Sequence, residues 1–249
     1  MRQVRVLPDL ESLSIALASA LAGRIAAAAR QGRCSVVLSG GRTPRRLYEL
    51  LRDRFADRIP WPQVDLFWSD ERYVPHDDPR SNYGMARLAL LDGILIPAEN
   101  VHPMPTQYAD PEEAAREYEA VIGRYFGTRP PRFDVLLLGM AANGHVASLF
   151  PGHPALHERR RWIVAATVPA DPPRRLTMTF PLINEAAQVD FLVAGPAKAE
   201  AVRRALAPGT TADEIPAVGV SPRSGAVTWW LDAEAAAKLG SEVPRADIP

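Results

Sequence analysis

Short apolar runs alternate along this chain with stretches in which apolar residues recur every three or four positions. The first pattern is typical of buried strands and the second of helices with one buried face. Strands are predicted at residues 4–7, 34–38, 64–68, 135–138, 162–168, 176–179, 189–194 and 226–231. Helices are predicted between a cap at Asp9 and a stop at Gly32, from a cap at Ser81 or Asn82 to about residue 91, and at residues 44–55, 111–126, 196–206 and 233–238. This alternation predicts an α/β fold with a mostly parallel β-sheet flanked by helices on both faces, a three-layer, modified Rossmann-like arrangement.

The length and the even composition of the chain indicate one domain. With 249 residues it falls within the range of a single α/β domain. It contains no internal repeat and no low-complexity linker. We therefore expect a single α/β domain over residues 1–249, with a polar tail from about residue 240.

The charge balance and the cysteine content argue against several classes of protein. Basic and acidic residues number 29 each, which leaves no electrostatic footprint for nucleic acid or an anionic membrane. Cys34 is the one cysteine, so no intrachain disulfide can form and a reducing compartment is suitable. Residues 1–10 lack the apolar segment of a secretory signal, and no run approaches the roughly 18 apolar residues of a membrane span. We expect a cytoplasmic protein that binds neither nucleic acid nor membrane.

The first candidate site segment lies between a predicted buried strand and a helix, at residues 39–44 (SGGRTP). Gly40 and Gly41 allow the backbone to approach a ligand closely, and the helix N-terminus offers free N–H groups. Thr43 adds a hydroxyl. These features are typical of a phosphate-binding loop, although an ordinary strand-to-helix turn has a similar composition. The segment lacks the lysine of a P-loop, which argues against nucleotide hydrolysis.

Charged residues follow the next predicted strand, in residues 68–75 (WSDERYVP). Charges at this position are costly unless they are paired or solvated. One interpretation is a solvated, salt-bridged turn. In the other, Arg72 binds an anion while Asp70 or Glu71 handles a proton or a hydroxyl. The residues alone leave both interpretations open.

A glycine-bounded loop with a histidine follows the most apolar strand, at residues 138–152 (LGMAANGHVASLFPG). Histidine is the natural proton acceptor near neutral pH, so His145 is either a catalytic base or a packed or surface histidine. Two cations accompany other predicted strands: Arg175 precedes the strand at 176–179, and Lys198 follows the strand at 189–194. Lys198 is either a solvated surface residue or part of a site, because ligands of such sheets bind beyond the carboxyl ends of the strands, and Arg175 is a further basic residue beside a strand.

Taken in order, these segments resemble the signatures of the 6-phosphogluconolactonase family, within the glucosamine- and galactosamine-6-phosphate isomerase superfamily. Residues 39–44 resemble its phosphate loop, and residues 70–75 followed by Ser81 and Asn82 resemble its second signature. Residues 144–152 (GHVASLFPG) are the most specific part, because related glucosamine-6-phosphate deaminases share the Gly-His pair without the SLFPG continuation. The resemblance extends from residue 39 to about residue 230.

The resemblance implies a substrate with a phosphate at one end and a δ-lactone at the other. This is 6-phospho-D-glucono-1,5-lactone, whose hydrolysis gives 6-phospho-D-gluconate in the oxidative pentose phosphate pathway. The resemblance also implies that no metal and no cofactor takes part. It assigns His145 as the general base that activates water, with Asp70 as a further catalytic candidate. It implies these phosphate ligands: Gly40, Gly41, Thr43, Arg72, Lys198 and, as a weaker candidate, Arg175.

One position departs from the family pattern. The family usually has an aspartate two residues before the histidine, and this chain has Asn143. A carboxylate there would orient the imidazole and stabilise its cation, whereas an asparagine accepts a hydrogen bond without carrying a charge. We include Asn143 among the catalytic candidates and predict that Asn143→Asp raises activity.

Three functions stay open on the sequence, of which the lactone hydrolase is favoured. A non-catalytic sugar-phosphate binder is suggested by Asn143. An amino-sugar-phosphate isomerase or deaminase would need a base beside a substrate carbonyl, for which Asp70 is the obvious candidate. In each case the partner is a small sugar phosphate, and we expect a monomer or a weak dimer.

Overall fold

The computed structural model describes residues 2–240, so the predicted polar tail lies outside the described residues. This part of the chain contains nine strands: β1 Arg2–Leu7, β2 Cys34–Leu38, β3 Val64–Trp68, β4 Asp70–Arg72, β5 Val135–Leu138, β6 Ile163–Thr167, β7 Arg174–Met178, β8 Gln188–Val193 and β9 Ala226–Asp232. Six α-helices accompany them: α1 Leu10–Ala29, α2 Arg42–Arg54, α3 Asn82–Ala89, α4 Pro111–Phe126, α5 Phe180–Ile183 and α6 Ala199–Leu206, again within residues 2–240.

Six of the strands form one parallel sheet in the order β1-β9-β8-β5-β2-β3. Every residue of β2, β3 and β5 is buried, as expected for strands covered on both faces. The predicted bounds of these three strands match the structure. The predicted α/β fold, with a mostly parallel sheet flanked by helices, is confirmed.

Helix α1 begins where its sequence predicts, because the Asp9 side chain accepts a hydrogen bond from the Ser12 N–H at 2.7 Å. Its buried face repeats every four residues through Leu13, Leu17 and Leu21, and it packs on β1, β2, β9 and α2. Among residues 2–240, α1 is the one helix whose 20 residues and mean hydropathy of 1.5 would suit a membrane span. Because α1 packs against the sheet, its length and hydropathy are also those of a core helix in a folded domain.

The remaining strands form a small antiparallel sheet, β4-β7-β6, which the sequence did not predict as a separate unit. The chain leaves β3 and enters β4 through Ser69, whose N–H donates to the Leu38 carbonyl and whose carbonyl accepts from the Met178 N–H. The predicted strand-end turn after Trp68 is therefore itself a short strand. Its register places Arg72 opposite Arg175, which brings two predicted site residues together.

One predicted helix is wrong. Residues 233–238 form hydrogen-bonded turns and not a helix. The carboxylate of Asp232 accepts from the Ala235 N–H at 2.7 Å and also from the Gly195 N–H at 2.9 Å. This carboxylate therefore ties the start of the segment to the loop after β8.

Candidate active site

A cavity of about 590 Å³ lies beyond the carboxyl ends of the parallel strands. Residues of the loops after β2, β5 and β8 line it together with residues of β4 and β7. The predicted site residues that line it are Gly40, Gly41, Thr43, Asp70, Arg72, His145, Arg175 and Lys198. Asn143 is not in the cavity wall but contacts His145 from outside it. The structure thus brings the predicted residues to one place, while their individual roles stay predictions.

The loop after β2 has a backbone that only glycine allows. A Cβ on Gly40 would lie 1.8 Å from the Asn82 side-chain oxygen, and Gly41 has a φ of +100°. The Tyr48 hydroxyl fixes the loop because it accepts from the Ser39 N–H at 2.9 Å and donates to the Ser39 carbonyl at 2.7 Å. Helix α2 starts directly after this loop without a side-chain cap. The first-turn N–H groups of α2 therefore remain suited to an anion.

The two neighbouring carboxylates of β4 have different surroundings. Asp70 lines the cavity, and its Oδ2 accepts from the Ser148 hydroxyl at 2.7 Å while its Oδ1 accepts from Asn82 Nδ2 at 3.3 Å. Glu71 is fully buried away from the cavity wall. Of the two carboxylates that the sequence left open, Asp70 therefore lines the cavity and Glu71 does not.

Glu71 holds the start of α3. Its carboxylate accepts from the backbone N–H groups of Arg72 and Asn82 at 2.7 Å and of Tyr83 at 2.8 Å. Burial raises the pKa of Glu71 to about 7, against the opposing effect of these hydrogen bonds. The residue connects β4, which carries Arg72, to the helix that presents Asn82.

Four cations line the cavity, and we refer to them as the cavity cations: Arg42, Arg72, Arg175 and Lys198. None of them has a carboxylate within 4.0 Å among residues 2–240. Arg72 donates to the Arg80 carbonyl at 2.8 Å, and Arg175 donates to the Pro172 carbonyl at 2.7 Å. Burial lowers the pKa of Arg175 and of Lys198. The cavity therefore carries positive charge that the described side chains leave without ion pairs.

The imidazole of His145 is held in one tautomer. Its Nδ1 lies 2.8 Å from the Asn143 side-chain oxygen, and an amide oxygen only accepts, so Nδ1 carries the proton. The lone pair is then on Nε2. The ring also stacks on Phe150, with centroids 3.9 Å apart and an interplanar angle of 18°.

The charge state of His145 follows from its surroundings. Burial lowers its pKa to about 4, and the nearby charges of Lys198, Arg175 and Arg72 act in the same direction. Asp70 opposes this shift but does not overcome it. The imidazole is therefore neutral at physiological pH, the state in which Nε2 can accept a proton.

The loop that carries His145 is tightly constrained. The Gly144 N–H donates to the Ala141 carbonyl at 2.9 Å, and the Ala141 N–H donates to the His145 carbonyl at 3.1 Å. Gly144 has a φ of +82°, and a Cβ there would lie 2.8 Å from the Ile215 side chain. Glycine is therefore required immediately before the histidine.

Several side chains at the site were not among the predicted site residues. Asn82, Ser148 and Phe150 contact Asp70 or His145, and Arg42 lines the cavity. All four lie inside or beside the signature segments, which was the available signal. No group of three or more His, Cys, Asp or Glu side chains is arranged to hold a metal ion within residues 2–240.

Comparison with known proteins agrees with this geometry. A family model described as glucosamine-6-phosphate isomerases/6-phosphogluconolactonase matches residues 8–229. The chain is 44% identical over 216 residues to a 6-phosphogluconolactonase of Synechocystis, a match that covers 86% of this chain and 88% of that protein. It is 42% identical over 246 residues to a 6-phosphogluconolactonase of Mycobacterium tuberculosis, covering 96% of this chain and 98% of that one.

Solved structures give the same result. The crystal structure of a devB protein has a TM-score of 0.86 at 32% identity and covers 96% of this chain and 100% of that chain. The 6-phosphogluconolactonase from Trypanosoma cruzi has a TM-score of 0.85 at 30% identity, covering 96% and 97%. The family model alone spans most of the sequence. The chain therefore belongs to the family of glucosamine-6-phosphate isomerases and 6-phosphogluconolactonases.

Proposed function

We propose that this chain hydrolyses 6-phospho-D-glucono-1,5-lactone to 6-phospho-D-gluconate, as in the oxidative pentose phosphate pathway. The observation that carries the proposal is a neutral imidazole with a free Nε2 in the same cavity as four unpaired cations. A substrate with a phosphate at one end and an ester carbonyl at the other has the chemistry that such a cavity binds. The names of relatives at 40–44% identity support the same reaction.

The phosphate is bound by the loop after β2 and by three of the cavity cations. Gly40, Gly41 and Thr43 supply N–H groups and a hydroxyl at the start of α2. Lys198, Arg72 and Arg175 supply charge-assisted hydrogen bonds, which are stronger than neutral ones. This arrangement fixes one end of the substrate and leaves the lactone ring to reach the imidazole.

His145 acts as the general base. Its Nε2 takes a proton from a water molecule while the water oxygen forms a bond to the lactone carbonyl carbon. The carbonyl oxygen becomes an oxyanion, which backbone N–H groups of the surrounding loops stabilise. The bond from this carbon to the ring oxygen then breaks, and the protonated His145 returns its proton to the departing ring oxygen. The products are an alcohol and a carboxylic acid, and the histidine is regenerated.

Asp70 and Asn143 assist the imidazole in different ways. Asn143 fixes the tautomer without adding charge, because its amide oxygen accepts the Nδ1 proton. Asp70 raises the pKa of His145 against the effect of burial, so it stabilises the imidazolium that forms during the reaction. Ser148 and Asn82 hold the Asp70 carboxylate in the cavity wall.

The neutral Asn143 also favours a second candidate function, a sugar-phosphate binder without turnover. A protein of this kind would bind 6-phosphogluconate and leave the lactone to hydrolyse at its spontaneous rate. A third candidate, an amino-sugar-phosphate isomerase or deaminase, would use Asp70 as the base and would release ammonia from glucosamine 6-phosphate in the deaminase case.

A coupled assay separates these functions. Freshly prepared lactone is hydrolysed with and without the protein, and the 6-phosphogluconate formed is oxidised by a dehydrogenase that reports it. The lactonase proposal expects a protein-dependent rate well above the spontaneous one and no ammonia from glucosamine 6-phosphate. A rate equal to the spontaneous one, with 6-phosphogluconate still bound, would identify the binder.

We further propose that the protein acts in the cytoplasm as a monomer or weak dimer, without nucleic acid or membrane. Balanced charge and a single cysteine support this proposal. The family does not fix the compartment, since similar rice proteins are described as chloroplastic. Sedimentation at several concentrations tests the assembly, and a stable higher oligomer would contradict it.

A further inference from the structure

Arg42 differs from the two other arginines in the first part of α2. Arg45 forms an ion pair with Glu49 at 3.2 Å, and Arg46 forms one with Glu11 at 2.7 Å. The Arg42 side chain makes no hydrogen bond and no ion pair with residues 2–240, and it lines the cavity. Two of these three arginines thus form ion pairs, and the third, which is unpaired, lines the candidate site.

The position of Arg42 is electrostatically unfavourable in the free protein. It is the first residue of α2, where the helix dipole disfavours a positive charge. It also lies near a second cation: after burial, the charge of Arg42 is the cause that lowers the pKa of Lys198. No carboxylate within 4.0 Å among the described residues offsets either effect. An anion bound between the two side chains would remove both penalties.

Arg42 lies toward the Lys198 end of the cavity. The charges that mainly shift the pKa of His145 are those of Asp70, Lys198, Arg175 and Arg72. The charge of Lys198 therefore acts on the imidazole, and the charge of Arg42 acts on Lys198. A ligand that fills the cavity from His145 to Lys198 can also contact Arg42, because all three residues line the same cavity.

We propose that Arg42 binds the terminal phosphate of the substrate together with Lys198, and that it sets the preference of this chain for phosphorylated over unphosphorylated lactones. The planar guanidinium donates two parallel hydrogen bonds to a phosphate, which an ammonium group cannot do. The proposal rests on the function proposed above. It adds the side chain of Arg42, which lies between Gly41 and Thr43, to the phosphate ligands proposed above.

The test compares R42Q with R45Q, a matched control on the same helix whose ion pair is exposed and lies outside the cavity wall. For each variant, kcat and KM are measured with 6-phosphogluconolactone and with glucono-1,5-lactone, which lacks the phosphate. We expect R42Q to lower kcat/KM for the phosphorylated lactone by about 10- to 100-fold, mainly through KM, the range of a lost charge-assisted hydrogen bond. Its kcat/KM for the unphosphorylated lactone and both values of R45Q should stay near wild type. Equal effects of R42Q on both lactones, or none on either, would overturn the proposal.

A second measurement does not depend on turnover. The melting temperature is recorded alone, with 6-phosphogluconate and with gluconate. We expect R42Q to melt about 1 to 3 °C higher than wild type when no ligand is present, because the repulsion is relieved, and to lose most of the stabilisation by 6-phosphogluconate. A purely structural Arg42 would instead give a lower melting temperature and an unchanged response to the phosphorylated ligand, and this result would overturn the proposal.

The two measurements separate this inference from the proposed function. A wild-type protein that fails to accelerate lactone hydrolysis refutes the function, but the ligand titration still decides on Arg42. A wild-type protein that is stabilised equally by 6-phosphogluconate and by gluconate refutes the Arg42 inference whatever its activity.

Discussion

The amino and carboxyl ends of the parallel sheet differ in whether their charged side chains form ion pairs. At the amino ends of β2 and β3, Arg33 donates to the Asp65 carboxylate at 2.6 Å, and His102 Nε2 lies 3.1 Å from the other oxygen of that carboxylate. Arg33 also donates to the Asn100 side-chain oxygen at 2.7 Å. At the carboxyl ends, the cavity cations have no carboxylate within 4.0 Å among the described residues.

This difference separates charge that is paired within the fold from charge that is unpaired in the cavity. Although burial acts in the other direction, hydrogen bonds from His102 and Arg33 hold the pKa of Asp65 below its usual value, so the paired end favours the folded state. The cavity cations repel one another, and their burial lowers the pKa of Lys198 and Arg175. Unpaired charge in a cavity raises the free energy of the protein without ligand, and a bound anion offsets this cost.

The largest contrast is expected between the two histidines of these ends. His145→Ala should reduce turnover by about 10²- to 10⁴-fold, the usual contribution of a general base, with little change in the affinity for 6-phosphogluconate. His102→Ala should lower stability and leave turnover near wild type. The coupled lactone assay and a ligand titration check both variants. Near-normal turnover in His145→Ala would remove this residue from the mechanism.

A substitution in the cluster of Arg33, Asp65 and His102 should change stability alone. Asp65→Asn removes the charge that Arg33 and His102 share, and we expect the free energy of unfolding to fall by about 1 to 3 kcal/mol. Urea unfolding measures this change, while kcat and KM should be unchanged. A variant with normal stability and altered kinetics would show that the two ends are not separate in function.

The pH dependence of turnover tests the protonation state of His145 in the cavity. Because the pKa of His145 is lowered to about 4, the base stays neutral from pH 8 to pH 5, and the acid limb of kcat that protonation of His145 produces should appear only near pH 4. Asn143→Asp places a negative charge beside Nδ1, which raises the His145 pKa and moves this acid limb to higher pH.

The same variant should raise turnover at pH 7 by about tenfold, since the carboxylate stabilises the imidazolium formed in the transition state. Asn143→Ser is the matched control, because it removes the amide without adding charge. An acid limb that does not move in Asn143→Asp would mean that this position is not a charge partner of His145.

The smallest effect is expected from the hydroxyl that holds Asp70. Ser148→Ala removes one donor to the carboxylate but leaves that of Asn82, so we expect kcat to fall by about two- to tenfold with KM unchanged. Steady-state kinetics test this. A larger loss confined to KM would place Ser148 in substrate binding and not in the positioning of Asp70.

Much of the fold was predictable because the decisive patterns are local. The run at β5 is continuously apolar, β2 and β3 each hold one polar residue (Ser35 and Asp65) among apolar ones, and α4 starts at Pro111 after its cap Asp110, so their bounds match the predictions. The small sheet was missed because it depends on a long-range pairing of β4 with β7, which no local pattern encodes. The turns at residues 233–238 were predicted as a helix, because the Asp232 contacts with Gly195 and Ala235 cannot be read from the sequence around them.

The candidate site was predictable as a set of strand-end segments but not as an arrangement. The sequence placed Asp70 and Glu71 side by side without deciding between them, and only the pairing of β4 turns one to the cavity and the other to α3. The sequence does not single out Arg42, because three arginines occur within five residues of α2. Only the structure shows which one of them lacks a carboxylate partner.

The orientation of the substrate can be seen in a crystal structure of the protein with bound 6-phosphogluconate. The account predicts that the phosphate lies between Lys198 and the loop at residues 40–43, and that the carboxylate carbon lies within about 3 to 4 Å of His145 Nε2, or one water molecule away from it. A ligand bound in the reverse direction, or with its carboxylate out of reach of this nitrogen, would contradict it.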